Sequence, residues 1–478
     1  MNDLKQKTTN GLKWSAIERL TTQAVQLSVM LILGRMLGPT VFGLIGMLAI
    51  FIAISQTLVD SGFSNALIRK KIKSESDYAT TFYFNIFISF LCYIILYISS
   101  PYIAEFYNQP QLEILTKIQG LVIIVNAFSI IQRTKLTINM NFKTQAKVSL
   151  LSVFLSSILS IYTAYLGFGV WALIIQILSF SLLNTILLNI SLPWIPKKRF
   201  SKRSFSYLFG FGSKLLLSSL IDTIYNNLYQ IIIGKIFSAN QLGLFAQANN
   251  LSYTPSMALT SVIQRVTYPM LSHVQNNKVE FDSIYLLTLR LTALIVFPLL
   301  IGLGIIAQPF ILIILGESWS YTATLLSILC IAYMLYPIHA INLNLLQVKG
   351  RTDLFLKLEI IKKVLVTIIL IITVPLGIEA ICIGIVIQSY LALLINTYYT
   401  GRLTSINIKK QCKYLFPIWI ITIVTALFSW NISLYIENIY IQLAFMLTIT
   451  PIIYIIFIRI FQYDLFNIII SNILKKKM

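Results

Sequence analysis

With 478 residues, 57% of them hydrophobic and 11% charged, and a mean hydropathy of +0.81, the chain is too apolar for a water-soluble domain of ordinary size. Its formal net charge of +21 raises a nucleic-acid reading, and the distribution of charge removes it. Lys and Arg fall in short loops between apolar spans, which is the pattern of membrane orientation. The expectation is an all-α polytopic membrane protein with no nucleic-acid partner.

Apolar runs of roughly 20 residues cross a bilayer core of about 30 Å. In chain order they lie near 13–34, 43–60, 78–100, 113–132, 146–166, 168–191 and 207–233. They continue near 245–271, 283–306, 320–344, 355–375, 377–400, 414–431 and 438–459, which makes fourteen. Ahead of the first, Met1–Lys13 is short and polar, and no cleavable signal peptide is expected. Cys92, Cys330, Cys382 and Cys412 sit in or beside spans without metal-like spacing and are read as free thiols.

The loops test the count. One side collects Arg69, Lys70, Lys71 and Lys73, then Arg133, Lys135, Lys143 and Lys147, then Lys197, Lys198, Arg199, Lys202 and Arg203. Lys278, Lys349, Arg351, Lys357, Arg402, Lys409, Lys410 and Lys413 continue the series, and Lys5, Lys7 and Lys475–Lys477 join it. The other side holds Glu105, Glu113, Glu317, Glu379 and Glu437, with Arg35, Lys117 and Lys235 as its cations. This asymmetry predicts that both termini are cytoplasmic.

An internal repeat organises the spans. "LILGRMLGPTVFGLIG" (Leu31–Gly46) aligns without a gap with "IIIGKIFSANQLGLFA" (Ile231–Ala246), Gly34 on Gly234 and Gly43 on Gly243. The 200-residue offset contains six spans, an even number, so the halves enter the membrane with the same orientation, as in a parallel repeat. The expected division is an N-terminal bundle over 1–196, a basic cytoplasmic joint over 197–206 behind Pro193 and Pro196, and a second bundle over 207–405. Helices 13 and 14 and a basic tail fill 406–478.

The first helix of each half carries a polar stripe: Glu18, Thr22 and Gln26 in one, and Ser218, Asp222, Asn226 and Gln230 in the other, four residues apart and so on one face. Such groups either hydrogen-bond neighbouring helices or line a water-filled cavity; the shared register favours a cavity. Four cations, Arg19, Lys214, Arg265 and Arg290, fall inside span boundaries, each about 10 Å from the basic side. They either snorkel to the headgroups or form a cationic vestibule that suits an anionic headgroup such as a diphosphate. Arg290, within "YLLTLRLTALIVFP", has no polar company in sequence. Pro255, Pro298 and Pro337 are placed inside helices, where they free backbone groups and permit bending.

No catalytic residues or cofactor are assigned. His273 and His339 lie apart without carboxylates at ligand spacing, so no metal site is expected, and there is no P-loop. The longest loops, under about 20 residues, hold neither the soluble domain nor the clustered His and acidic residues that a glycan polymerase or acyltransferase would need. A transporter is the expectation.

"GLKWSAIERLTTQAVQLSVMLILGRMLGPTVFGLIGML", "VDSGFSNALIRKK" (Val59–Lys71) and "QRVTYPMLS" (Gln264–Ser272) resemble segments of the Wzx-type polysaccharide flippases. These belong to the multidrug/oligosaccharidyl-lipid/polysaccharide superfamily, and the likeness is to its colanic-acid-exporter branch. The resemblance implies a V-shaped pair of six-helix bundles, as in multidrug-and-toxin exporters, with two further helices. It also implies turnover of an undecaprenyl-diphosphate-linked oligosaccharide from the cytoplasmic to the periplasmic leaflet of a bacterial inner membrane. The glycan is left open among O-antigen, capsule and exopolysaccharide, and polysaccharide polymerase or assembly proteins are implied as partners. A cation-coupled drug exporter and a lipid II flippase are the alternatives within the superfamily. Glu18 and Asp222 are the candidates for H+ or Na+ coupling, with pairing of Glu18 to Arg19 as the plainer reading.

Overall fold

The computed structural model describes residues 2–60 and 62–467. The expected cations Lys475–Lys477 lie outside these residues, and Lys5 and Lys7 lie outside the described side chains. Among the described residues there are helices and turns and no strand. The chain divides into two compact units, Met1–Gly243 and Leu244–Met478. The first contains α1 (Asn2–Leu37), α2 (Pro39–Asp60), α3 (Phe63–Arg69), α4 (Glu75–Tyr107) and α5 (Gln111–Gln119). It continues with α6 (Leu121–Ala127), α7 (Ile130–Ile138), α8 (Phe142–Tyr165), α9 (Val170–Ser191), α10 (Lys202–Ile236) and the start of α11 (Ala239–His273). The second holds the rest of α11, then α12 (Lys278–Ile305), α13 (Ala307–Ile314), α14 (Ser320–Tyr333) and α15 (Tyr336–Val348). α16 (Thr352–Thr373), α17 (Ile378–Leu403), α18 (Ile408–Ser433) and α19 (Ile439–Phe461) complete it.

Each of the fourteen expected segments overlaps helix. Eleven helices among the described residues are long and apolar enough to cross a membrane, or twelve if the pair Gln111–Ala127 and Ile130–Ile138, bent by 41°, is one span. α11 and α16, the expected eighth and eleventh spans, are not among them. Two expected spans are also not straight rods. The fourth is cut at Gly120 and again at Phe128–Ser129 into α5, α6 and α7. The tenth is cut at Met334–Leu335, and Pro337 falls in the first turn of α15, not inside a helix. There its missing N–H leaves no bond unmade. Pro255 and Pro298 do lie inside helices.

Side-chain caps set several helix starts on the lysine-rich side. Ser74, Asn141, Ser201, Asn277 and Asn407 each accept a bond from a backbone N–H of the following turn, satisfying donors that the helix itself leaves free. At α4 the cap is reciprocal. Ser74 Oγ accepts from the Asp77 amide at 3.3 Å, and Asp77 Oδ2 accepts from the Ser74 amide at 2.8 Å.

The repeated glycine motif is mostly helical. Its turn shrinks in the first copy to Gly38, at φ 75°, and in the second to Phe237–Ser238. Gly34 and Gly43 lie within α1 and α2, and Gly234 and Gly243 within α10 and α11. The two copies pack against each other reciprocally. A Cβ on Gly43 would stand 1.7 Å from the Ala239 carbonyl oxygen, and one on Gly243 would stand 1.9 Å from that of Pro39. Asn240 Nδ2 donates to Thr40 Oγ1 at 3.3 Å across the same crossing. Only glycine lets two helix starts approach this closely.

Within the first unit α10 packs along α2, α3 and α4. Thr57 and Thr223 hydroxyls meet at 3.1 Å, and Phe63 stacks on Phe84 with ring centroids 4.7 Å apart beside Phe205. α1 packs on the α8–α9 hairpin through Val29, Leu33, Ala164, Ala172 and Leu173. The second unit is tied by a buried polar network. Tyr285 OH donates to Asn342 Oδ1 at 2.8 Å, Thr400 Oγ1 to the same oxygen at 3.0 Å, and Gln411 Nε2 to Tyr285 OH at 3.1 Å. Four helices, α12, α15, α17 and α18, therefore share one set of bonds whose rupture inside a bilayer finds no water to replace it.

Candidate functional site

Both polar stripes lie in the first compact unit. On α10 the side chains of Lys214, Ser218, Asp222 and Asn226 are all exposed. They are spaced four residues apart and form one row about 18 Å long at 1.5 Å per residue. Gln230, one turn further on, is half-buried, and its Oε1 is buried without a hydrogen-bond partner. On α1, Gln26 and Arg19 are exposed, Thr22 is half-buried, and the Thr22 hydroxyl oxygen is likewise buried without a partner.

Glu18 is partnered across helices and not by its sequence neighbour Arg19. Ser149 Oγ of α8 donates to Glu18 Oε1 at 2.8 Å, and the charge of Arg133 on α7 acts on Glu18 and on Asp60 at the end of α2. Asp60 Oδ1 accepts from Ser64 Oγ of α3 at 2.7 Å. Glu18 thus has a serine of α8 as its hydrogen-bond partner and a cation of α7 in its electrostatic surroundings. By sequence alone Arg133 belongs to a basic loop, and Asp60 and Ser149 carry no role. The signal that could have found Arg133 is the short periodicity of "IIQRTKLTI", which buries Ile131, Gln132, Thr134 and Leu136 and turns Arg133 outward.

Other loop cations are also held in place. Lys70 Nζ donates to both oxygens of the buried Asp77 at 2.7 Å. Lys135 lies 4.5 Å from the Tyr78 ring centroid and 4.6 Å from that of Trp194, with Glu75 4.0 Å away. Trp194 Nε1 donates to Glu75 Oε1 at 2.5 Å. Lys70 and Lys135 are thus held by carboxylates of α4 on the basic side of the first unit.

The two remaining candidate cations belong to the second unit. Arg265, on α11 between Pro255 and Pro269, is exposed, and Gln264 beside it donates to Asn344 Oδ1 at 3.4 Å. Arg290 is half-buried and turned toward α18 and the end of α19. Its Nη2 donates to Gln462 Oε1 at 3.2 Å, and its guanidinium lies 5.2 Å from the Tyr414 ring centroid. Among the ten candidate residues, only Arg290 lines the cavity formed there.

Comparison with known proteins agrees with this architecture. Residues 32–324 match the family described as "Polysaccharide biosynthesis protein". The chain is 28% identical over 363 residues to teichuronic acid biosynthesis protein TuaB of Bacillus subtilis, covering 74% of each chain. It is 24% identical over 426 residues to lipopolysaccharide biosynthesis protein WzxC of Escherichia coli, covering 87% of this chain and 85% of that one. Among solved structures, the inward closed conformation of lipid II flippase MurJ superposes with a TM-score of 0.76 at 15% identity, covering 95% of this chain and 99% of that one. At that identity the likeness is one of fold.

Proposed function

The chain belongs to the polysaccharide biosynthesis protein family, and from that premise we propose that it is a flippase for an undecaprenyl-diphosphate-linked oligosaccharide. It carries this lipid from the cytoplasmic to the periplasmic leaflet of a bacterial inner membrane and supplies the assembly of a surface polysaccharide. Its termini lie in the cytoplasm with the lysine-rich loops. The internal repeat pairs helices of 1–196 with those of 207–405 across the joint at 197–206, with 406–478 appended.

The exposed row Lys214, Ser218, Asp222 and Asn226 carries this reading. A lysine can snorkel along an apolar helix, but serine, aspartate and asparagine are too short to reach headgroups from successive turns. Exposed polar groups over about 18 Å of a membrane helix therefore require an aqueous passage, because their contact with hydrocarbon is costly. Arg19, Lys214 and Arg133 of the first unit offer positive charge to a diphosphate. The sugars meet Thr22, Gln26, Asn226 and Gln230. Glu18 and Asp222 are the groups for proton or sodium coupling.

The deciding experiment extracts lipids from a strain lacking the gene, measures diphosphate-linked oligosaccharides by mass spectrometry, and assays surface glycan in parallel. Accumulation of one lipid-linked repeat with loss of one surface polymer is the expected result. An unchanged lipid pool and surface would remove the flippase reading and leave a cation-coupled drug exporter, with Glu18 and Asp222 as its working residues.

A further inference from the structure

Arg290 has surroundings unlike those of the other candidate cations. The cavity it lines measures about 360 Å³ and is walled by Lys413 and Tyr414 of α18 and by Gln462 and Asp464 beyond α19. Arg290 Nε is buried and has no hydrogen-bond partner, while Nη2 is engaged by Gln462. Two cations against one carboxylate leave the cavity net positive, and a guanidinium with a free N–H is a ready donor to a phosphate oxygen. The cavity sits five residues into α18 at Lys413 and at the C-terminal cap of α19 at Gln462. Both are helix ends on the side that also carries Lys409 and Lys410. Its rim is open and carries exposed apolar and aromatic side chains: Phe461 is 65% exposed, Ile460 62% and Tyr463 60%. A basic cavity at a helix end, opening among exposed aromatic and aliphatic side chains, has the chemistry of a headgroup site with acyl chains lying against the helices outside it.

We propose that the cavity formed by Arg290, Lys413 and Tyr414 holds the phosphate of an anionic glycerophospholipid resident in the adjoining leaflet, with its acyl chains against Phe461 and Ile460. The shared chemistry is a phosphate ester on a lipid, which a transported lipid diphosphate would also present. The occupant assigned here is the phospholipid, because the cavity is too small for an attached oligosaccharide and its open rim is apolar. The inference does not depend on what the protein transports.

The test is native mass spectrometry on the purified full-length protein, titrated with phosphatidylglycerol or phosphatidylcholine of matched acyl chains, and then with undecaprenyl diphosphate as competitor. The expected result is about tenfold tighter retention of phosphatidylglycerol, the scale of one hydrogen bond to a charged group. Arg290→Gln and Lys413→Gln should each remove most of that preference, and undecaprenyl diphosphate should not displace the bound phospholipid. Lys413 is exposed, so its variant carries the test even if Arg290→Gln fails to fold. Equal binding of the two phospholipids, or a preference that survives Lys413→Gln and any Arg290→Gln protein that folds, overturns the proposal. Displacement by undecaprenyl diphosphate overturns it as well and reassigns the cavity to that diphosphate.

Discussion

Replacing Gly43 by alanine adds one methyl group where the structure has no room. The new Cβ would lie 1.7 Å from the Ala239 carbonyl oxygen, 2.5 Å from its carbonyl carbon and 3.0 Å from its Cα. Relieving the worst of these contacts requires the starts of α2 and α11 to part by more than about 1 Å, since non-bonded heavy atoms rest near 3.5 Å. Overpacking of this kind costs about 1–3 kcal/mol. The upper end applies because the obstacle is backbone and no side chain can swing away. Gly46→Ala is the control one turn along: its Cβ would meet Leu242 Cδ2 at 3.4 Å, an ordinary contact. The assay is disulfide formation between Thr40→Cys and Asn240→Cys, whose native side chains hydrogen-bond across the crossing at 3.3 Å, in a background where the exposed Cys412 is replaced by serine. The pair should cross-link readily with Gly43 present and several-fold more slowly with Gly43→Ala, and the melting temperature should fall. Gly46→Ala should change neither. Unaltered cross-linking and melting in the Gly43 variant would refute the reciprocal glycine crossing.

Three further outcomes follow from the first unit. Arg133→Ala should cut surface-glycan output sharply at unchanged protein level, with partial rescue by Arg133→Lys, measured by immunoblot of both; full output from the alanine variant would remove Arg133 from the site. Asp77→Asn removes the negative charge and one of the two oxygens that accept from Lys70 at a fully buried position and weakens the α4 cap, costing about 2–3 kcal/mol. It should lower the melting temperature of the purified protein far more than Asp353→Asn, whose ion pair with Arg351 is exposed and which should leave melting unchanged. Gly210→Ala, with nothing within 4 Å of the new methyl, should stabilise α10 by about 0.5–1 kcal/mol, read as a higher melting temperature.

The all-helical, many-span character was legible in the sequence because hydrophobicity and helix period are local properties. Each segment must satisfy its own backbone bonds whatever its neighbours are. The stripe from Lys214 to Asn226 was legible for the same reason, since a spacing of four residues puts side chains on one face before any partner is known. The breaks at Phe128–Ser129 and Met334–Leu335 were not, because they fall inside apolar runs that hydropathy reads as continuous. Nor was the place of Arg133, a loop cation by sequence whose charge the fold brings to bear on Glu18 of α1. Arg290 shows the limit most clearly. Its flanking sequence is apolar, and its hydrogen-bond partner, Gln462, lies 172 positions away. The glycine repeat was visible as a repeat, but its meaning was not. That Gly43 meets Ala239 while Gly243 meets Pro39 is a fact about two chain segments 200 residues apart. Periodicity within a segment cannot encode it, and only the close packing of the folded chain decides it.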